Sequence, residues 1–450
     1  MHDLAFVGFL LTLFAFGFRR PFLFVLVYAY IDIVAPQRLT YTLLNTVPIS
    51  LAAAILAIGS WLATSNMRDS RIAPRQIVMV LLLVYCWLTT QQADFPLLAQ
   101  EKWAWVWKGL FFASFLPLAL TTRLRIESLA LCLVFSVSYI IIIGGMKTLG
   151  GGGGYGTLSL GAADSGIYES STISAVAICV IPLILYLRKY NSIFPTGRLA
   201  NLLTLAIIFA ALLLPVGTTA RTGLVCIAVL ALLSLRSAKR RFTYIFGALT
   251  LFAVALPLLP ASYVKRMATI TTPQSDRSAG TRLAVWQWTW DYAQKNPFGG
   301  GFVAYKANKV KIEVVKEQGD DGQTSTESTF SEDKARAYHS AYFEMLGEQG
   351  FPGLFLWLTL HIGGLIRMQV LRSRYLKKGA DEDRRWIGAL AEALQHGQII
   401  YLAGAMFLGI AFQPFILMML GLQIGLDSYV SRLEFKPMAM KLRRSQLSPA

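Results

Sequence analysis

One of the four histidines in the chain sits among residue types that could perform acid–base chemistry. His339 follows a long hydrophilic segment and lies three residues after Arg336 in the stretch Ala335–Gly353. An imidazole has an ordinary pKa near neutrality, so it can take a proton from an attacking hydroxyl group. If the stretch is helical, Arg336 and His339 lie one turn apart on the same face. We therefore predict that His339 is a general base; the alternative is a structural histidine that is hydrogen-bonded to a neighbouring loop.

A lone arginine stands between two apolar runs that are separated by almost no loop. Arg221 lies in Gly217–Gly223, which reads Gly-Thr-Thr-Ala-Arg-Thr-Gly. A cation at a membrane boundary is costly unless it is solvated or faces an anion, and the guanidinium group suits a bidentate grip on phosphate. We predict that Arg221 binds phosphate; the alternative is an arginine whose side chain extends to the lipid head groups.

Further arginines lie in the hydrophilic segment before His339, namely Arg266, Arg277, Arg282 and Arg336. Several guanidinium groups that converge on one cleft would hold a pyrophosphate without a metal ion. The alternative for each of them is ordinary solvation at the surface. We predict that Arg282 assists Arg221 and that Arg336 is a further anion-binding residue.

Sequence strings typical of metal and nucleotide sites are present only in unsuitable settings. Asp381–Asp383 reads Asp-Glu-Asp, but it lies among lysines and arginines and is more simply a solvated charge run. Asp320 and Asp321 fall in Gly319–Ser331, which we interpret as a mobile loop because it is rich in Ser, Thr, Asp and Gly. Gly150–Gly154 lacks the Lys-Ser/Thr of a phosphate loop. We predict no metal ion and no cofactor.

The remaining histidines and the cysteines are predicted to have structural roles. His361 and His396 lie in or beside apolar runs without basic neighbours. The four cysteines also fall inside apolar runs, where a thiol behaves as a small hydrophobic group. Their spacing indicates neither a disulfide framework nor a zinc site.

The composition excludes an ordinary soluble domain. Of the 450 residues, 55% are hydrophobic and 15% are charged, and the mean hydropathy is +0.52. Apolar runs near the length of a membrane-spanning helix recur along the chain. They cover residues 5–18, 21–35, 47–64, 76–90, 107–121, 128–144, 170–187, 199–217, 222–235, 242–260, 345–368, 388–411 and 414–430. We predict an all-α polytopic membrane protein with about 12 transmembrane helices in a lipid bilayer.

Basic residues cluster in every second loop between these runs. The basic loops contain residues 19–20, 68–75, 123–125, 188–198, 236–241, 367–385 and 432–444. The positive-inside rule places them in the cytoplasm, so Pro215–Thr222 and Ala261–Tyr338 face the other side. The formal net charge of +17 therefore reflects membrane orientation, and we predict no nucleic-acid partner. A count of 12 or 13 spans, and the side of Met1, stay open.

The hydropathy pattern divides the chain into four parts. Residues 1–260 are predicted to form N-terminal transmembrane helices, and residues 261–344 a long, partly helical outer loop domain between the tenth and eleventh apolar runs. Residues 345–431 form C-terminal transmembrane helices, and residues 432–450 a basic cytoplasmic tail. In the loop domain, the spacing of apolar residues predicts an amphipathic helix over Thr281–Gln294, which the turn sequence Asn296–Gly301 ends.

Three motifs in the second half of the chain resemble those of the O-antigen ligase and polymerase superfamily. They are Thr219–Gly223 around Arg221, Arg282 and Trp286 leading into Asn296–Gly301, and His339–Gly353 with Glu344 and Glu348. The resemblance implies an all-helical, metal-independent glycosyltransferase of the bacterial inner membrane, whose donor is a glycan on undecaprenyl pyrophosphate. The acceptor is the lipid A–core of lipopolysaccharide in the ligases, another lipid-linked glycan in the polymerases, and a protein hydroxyl in related oligosaccharyltransferases. The run Arg19–Leu39 is also similar to a subgroup associated with exosortase systems, for which a protein acceptor is the alternative.

The residues and the resemblance together predict an O-antigen ligase whose active site, like the loop domain 261–344, faces the periplasm. His339 would be the catalytic base, and Arg221, Arg282 and Arg336 would bind the donor pyrophosphate. An O-antigen polymerase or a protein O-oligosaccharyltransferase is the alternative with the same donor. A transporter of lipid-linked glycans is the alternative from another class, although we see no internal repeat of the kind common in transporters. A structural membrane scaffold is a third alternative.

Overall fold

The computed structural model describes residues 2–39, 47–64, 72–150, 166–237, 241, 246, 277–320 and 323–446. These residues form fourteen α-helices and one β-hairpin, together with short 3₁₀ helices. The helices are α1 (His2–Arg19), α2 (Phe22–Val34), α3 (Ile49–Ala63), α4 (Pro74–Gln91), α5 (Pro96–Ala119), α6 (Arg123–Leu149), α7 (Ser170–Cys179), α8 (Ile181–Tyr190), α9 (Arg198–Gly217), α10 (Arg221–Ser237), α11 (Arg277–Lys295), α12 (Ala341–Tyr375), α13 (Arg385–Ala405) and α14 (Pro414–Gln446). The strands are β1 (Lys309–Asp320) and β2 (Gln323–Lys334).

The helices have the composition of an all-α membrane protein. Five helical segments are long and apolar enough to cross a bilayer: Arg123–Leu149, Ser170–Tyr190, Arg198–Gly217, Ala341–Tyr375 and Pro414–Glu434. Three shorter apolar helices precede them in the chain, Phe6–Arg19, Phe22–Val34 and Ile49–Ala63. The predicted total of about 12 spans stays a prediction, and the apolar run 242–260 lies outside the described residues apart from Phe246. The predicted boundaries of the four parts also stay predictions.

The hydrophilic segment contains a hairpin that the sequence interpretation missed. The prediction of a loop over Gly319–Ser331 is wrong, because β1 and β2 pair antiparallel from Lys309 with Lys334 to Asp320 with Gln323. The reason is visible in the sequence, since β1 alternates charged and β-branched residues while β2 is rich in threonine, and both patterns favour strands. The hydrophilic segment therefore contains a β-hairpin as well as the helix α11.

The amphipathic helix predicted for Thr281–Gln294 is confirmed within α11, which ends at Lys295 immediately before Asn296–Gly301. This turn packs against a break inside α12, where Gly350 has φ 63° and ψ −168°. A Cβ atom on Gly350 would lie 2.2 Å from the Pro297 carbonyl oxygen, so the close approach requires glycine. The Gly300 amide donates to the Gly347 carbonyl at 3.1 Å. The turn after α11 is thus packed tightly against the break inside α12.

Helix α12 begins later than the sequence interpretation assumed. Arg336 and His339 are not on one helical face, because α12 starts at Ala341 and His339 has φ 47° in the left-handed region. Such a conformation costs a non-glycine residue about 1–3 kcal/mol, so the surroundings must impose it. Helix α12 then packs against α4, α11 and α13, which places its first turn in the middle of the helical assembly.

Candidate functional site

Three contacts determine the backbone around His339. Nε1 of Trp286, in α11, donates a hydrogen bond to the Tyr338 carbonyl oxygen at 2.8 Å. The Trp286 ring also stacks on Phe343 of α12, with ring centroids 5.0 Å apart. The Asn308 side chain accepts from the Arg336 amide at 2.9 Å and donates to the Arg336 carbonyl at 2.6 Å. Helix α11 and the base of the hairpin therefore determine where His339 points.

His339 lines a cavity of about 660 Å³, which is within the usual size range of small-molecule sites. The walls come from α2 and the turn after it, α5, the residues before and at the start of α12, and the connection between α13 and α14. The imidazole is accessible from the cavity, yet protein surrounds much of it. This burial lowers the pKa of His339, and the charges of Arg282 and Arg336 lower it further. At neutral pH the imidazole is therefore uncharged and able to accept a proton.

The two arginines that act on His339 lie on the side of the site that belongs to the hydrophilic segment. Arg282 is in the first half of α11, more than three turns before the end of that helix at Lys295. Arg336 is half-exposed, and its guanidinium group pairs with the Asp333 carboxylate at 2.8 Å. Neither residue is among the residues that line the cavity.

Arg221 belongs to another helix that, like α12, packs against α13. It is the first residue of α10, whose next residue, Thr222, lies 3.7 Å from where a Cβ atom on Gly404 of α13 would be. Two residues before Gly404, the Leu402 carbonyl accepts a hydrogen bond from Tyr342 at 3.2 Å. The starts of α10 and α12 therefore meet the same last turn of α13. Arg221 does not line the cavity, Arg277 begins α11, and Arg266 lies outside the described residues.

A network of buried charged side chains forms part of the cavity wall. The Lys102 ammonium group, from α5, lies 2.6 Å from Glu344 and 2.8 Å from Glu348 of α12. Glu348 also accepts from the Val303 amide at 2.9 Å, and Glu344 accepts from the Ala411 amide at 3.0 Å. Every carboxylate therefore has several donors, which is the condition under which buried charges are tolerated. The network anchors the helix that begins two residues after His339.

Sequence interpretation missed several polar residues of the cavity. Glu344 and Glu348 appeared in a motif but had no assigned role, and Lys102, Lys108 and Asp32 were not considered. A signal was present, because Asp32 and Lys108 are charged residues inside the apolar runs 21–35 and 107–121. Ionisable residues in apolar helices are costly and commonly functional.

Two titratable groups away from the cavity have local partners, His361 and Glu382. The Gln398 amide lies 2.9 Å from Nδ1 of His361 and donates to the His361 carbonyl at 3.0 Å, which is a structural arrangement. Glu382, 77% exposed, pairs with Arg385, as a solvated charge run would. Within the described residues, no three His, Cys, Asp or Glu side chains are grouped as metal ligands would be.

The chain matches two family models. Residues 1–192 match a family of unknown function (DUF5935). Residues 205–358 match a family described as O-Antigen ligase, and this match contains Arg221, Arg282, Arg336 and His339. No curated protein matches the chain. The resemblance to the O-antigen ligase superfamily is therefore confirmed over residues 205–358.

Proposed function

We propose that the chain is an inverting glycosyltransferase that moves a glycan from undecaprenyl pyrophosphate to the lipid A–core of lipopolysaccharide, on the periplasmic side of the bacterial inner membrane. The observation that carries the proposal is the position of His339. It lines the cavity, and burial, followed by the charges of Arg282 and Arg336, lowers the pKa of its imidazole. The match of residues 205–358 to the O-antigen ligase family supports the reaction class.

The proposed reaction is a single displacement. The acceptor hydroxyl oxygen attacks the anomeric carbon of the donor sugar while the imidazole of His339 takes the hydroxyl proton. The bond between that carbon and the pyrophosphate oxygen breaks, and undecaprenyl pyrophosphate leaves with the bonding electrons. A base of this kind contributes about 10²–10⁴-fold to the rate.

The charge that develops on the leaving group is assigned to arginines. Arg221, Arg282 and Arg336 would bind the donor pyrophosphate, because guanidinium groups make strong bidentate hydrogen bonds to phosphate. Removal of one such donor from a transition state commonly costs about 10²–10³-fold in rate. A metal ion has no role in this proposal.

The carboxylates beside His339 are poor alternatives as the base. Glu344 and Glu348 each accept a hydrogen bond from the Lys102 ammonium group and another from a backbone amide. These protein donors already occupy the carboxylate oxygens of both residues, so the oxygens are less available to a substrate hydroxyl group. The imidazole of His339 is therefore the proposed base.

The acceptor is identified by parallel incubations. The purified chain in lipid nanodiscs receives an undecaprenyl-pyrophosphate glycan and, in separate tubes, lipid A–core, a second lipid-linked glycan, or a serine-rich protein, each with and without a chelator. We expect product with lipid A–core and the same rate with or without chelator. Product only with the second glycan would instead indicate a polymerase, and product only with the protein an oligosaccharyltransferase. If the chain in lipid vesicles moved the donor across the vesicle membrane without forming a new glycosidic bond, this would favour the transporter. Chelator-sensitive turnover would contradict the metal-free mechanism.

A further inference from the structure

Two residues that line the cavity each have a buried oxygen atom without a hydrogen-bond donor among the described residues. The atoms are Oδ2 of Asp32, in the last turn of α2, and Oε1 of Gln37, in the short 3₁₀ helix Pro36–Arg38 that follows. Both residues line the cavity, and neither atom has a hydrogen-bond partner in the part of the chain that the structure describes. A buried acceptor without a donor costs about 1–3 kcal/mol, so native proteins seldom leave one without a reason. Two of them at one wall indicate a ligand that donates hydrogen bonds.

Neighbouring residues hold the wall that contains these atoms in position. The Tyr168 hydroxyl donates to the Val34 carbonyl at the end of α2, which determines where the chain turns. Helix α5 contributes Trp105, a residue that is 38% exposed, and Lys108, whose charge acts on Asp32. A flat aromatic ring beside a few convergent polar groups is the usual make-up of a site for a polar organic ligand.

The charge of the cavity restricts what can bind there. The described charged residues that line it, His339 aside, are four acids and two lysines: Asp32, Glu169, Glu344, Glu348, Lys102 and Lys108. Lys102 is already paired with Glu344 and Glu348. A phosphate group placed here would meet an excess of negative charge, and like charges in a binding site cost several kcal/mol. A neutral ligand with many hydroxyl groups has no such cost.

The position of the wall indicates which substrate uses it. His339 borders the cavity on one side, whereas the arginines assigned to the donor pyrophosphate do not line it. A group that occupies the cavity can therefore present a hydroxyl to His339 without taking the place of the donor pyrophosphate. We propose that Asp32, Gln37 and Trp105 form a subsite for the acceptor, binding an unphosphorylated sugar ring that donates hydroxyl hydrogen bonds to Asp32 and Gln37. This inference rests on the proposed glycosyl transfer, because only that reaction defines an acceptor.

Direct binding tests the subsite without requiring turnover. Saturation-transfer difference NMR on the full chain in nanodiscs would compare four neutral sugars (glucose, galactose, N-acetylglucosamine and rhamnose) with glucose 6-phosphate. The variants are Asp32→Ala/Gln37→Ala, the conservative Asp32→Asn, and Gln92→Ala as a matched control on an exposed glutamine outside the cavity. Size-exclusion profiles would show that each variant is folded.

We expect at least one neutral sugar to bind the wild-type chain and the Gln92→Ala variant equally, and to bind more strongly than glucose 6-phosphate. Loss of two hydrogen bonds would weaken this binding by about tenfold or more in the double variant. The subsite is overturned if no neutral sugar binds, if the double variant binds as well as the wild type, or if the sugar phosphate is preferred. Sugar binding that is retained while the wild-type chain transfers no glycan would overturn the transferase proposal and leave the subsite. Transfer at normal rates without Asp32 and Gln37 would overturn the subsite alone.

Discussion

The Lys102 ammonium group lies 2.6 Å from the Glu344 carboxylate, although the two residues are 242 positions apart in the chain. Lys102 belongs to the part that matches a family of unknown function, and Glu344 to the part that matches the O-antigen ligase family. The ion pair therefore joins the two matched regions at the cavity that His339 also lines. It explains how a helix of the N-terminal half contributes to a site whose motifs are all in the second half.

Replacement of Lys102 by methionine is expected to destabilise the protein. The change would leave Glu344 and Glu348 close together and buried without their shared cation, which commonly costs about 3–5 kcal/mol. Thermal unfolding in detergent, followed by tryptophan fluorescence, measures the effect against Lys295→Met, which removes an exposed lysine at the end of α11. An unfolding temperature equal to that of the control would show that the network does not stabilise the fold.

Replacement of Arg282 by glutamine is expected to shift the pH dependence of transfer. In the proposed mechanism the neutral imidazole is the base, so the rate is expected to fall as the pH drops through the pKa of His339. Burial and the charges of Arg282 and Arg336 hold that pKa below its ordinary value. Removal of one positive charge makes protonation easier and raises the pKa, so the acid limb of the normalised rate profile should move to higher pH.

Arg336→Gln provides the comparison for this shift. Its charge is partly offset by Asp333, with which it pairs at 2.8 Å, so its effect on the acid limb should be smaller than that of Arg282→Gln. An acid limb that stays in place in the Arg282 variant, or moves to lower pH, would show that the limb does not report on His339.

Replacement of Arg221 by alanine is expected to weaken use of the donor. A hydrogen bond to a charged group contributes about 1.5–3 kcal/mol, so the rate at limiting donor should fall by roughly 10-fold to 150-fold. The acceptor KM should change little. Arg374→Ala is a suitable control, because its pair with Glu434 is exposed and such pairs contribute little. Normal turnover of the Arg221 variant at limiting donor would remove this residue from the pyrophosphate site.

Local patterns predicted local structure correctly. The helical spacing in Thr281–Gln294 and the turn residues Asn296–Gly301 gave the helix α11 and its end, because both depend on neighbours a few residues apart. Composition alone was a weaker guide, since the polar stretch Gly319–Ser331 is paired in a hairpin. Ser340 is a residue type favoured before a helix, and it was the available sign that α12 begins at Ala341 rather than earlier.

The cavity could not be predicted from such patterns. His339 was recognisable by its residue type and polar surroundings, but the pairing of Lys102 with Glu344 and Glu348 joins segments that no short-range rule connects. Thr222 and Tyr342, which follow Arg221 and His339 closely in the chain, likewise approach the last turn of α13 only because α10 and α12 both pack against that helix. Long-range packing decides which distant residues share a site. The periodicity of hydrophobic residues in a single sequence does not reveal which helices pack against each other.

The most direct test of the proposed mechanism compares the wild-type chain with the His339→Ala variant in a single-turnover transfer assay. The purified proteins in nanodiscs receive the undecaprenyl-pyrophosphate glycan and lipid A–core, and the new glycosidic bond is followed by mass. We predict that the variant folds and enters membranes normally, while its transfer rate falls by about 10²–10⁴-fold. Transfer by the variant at the wild-type rate would contradict the role of His339 as the base.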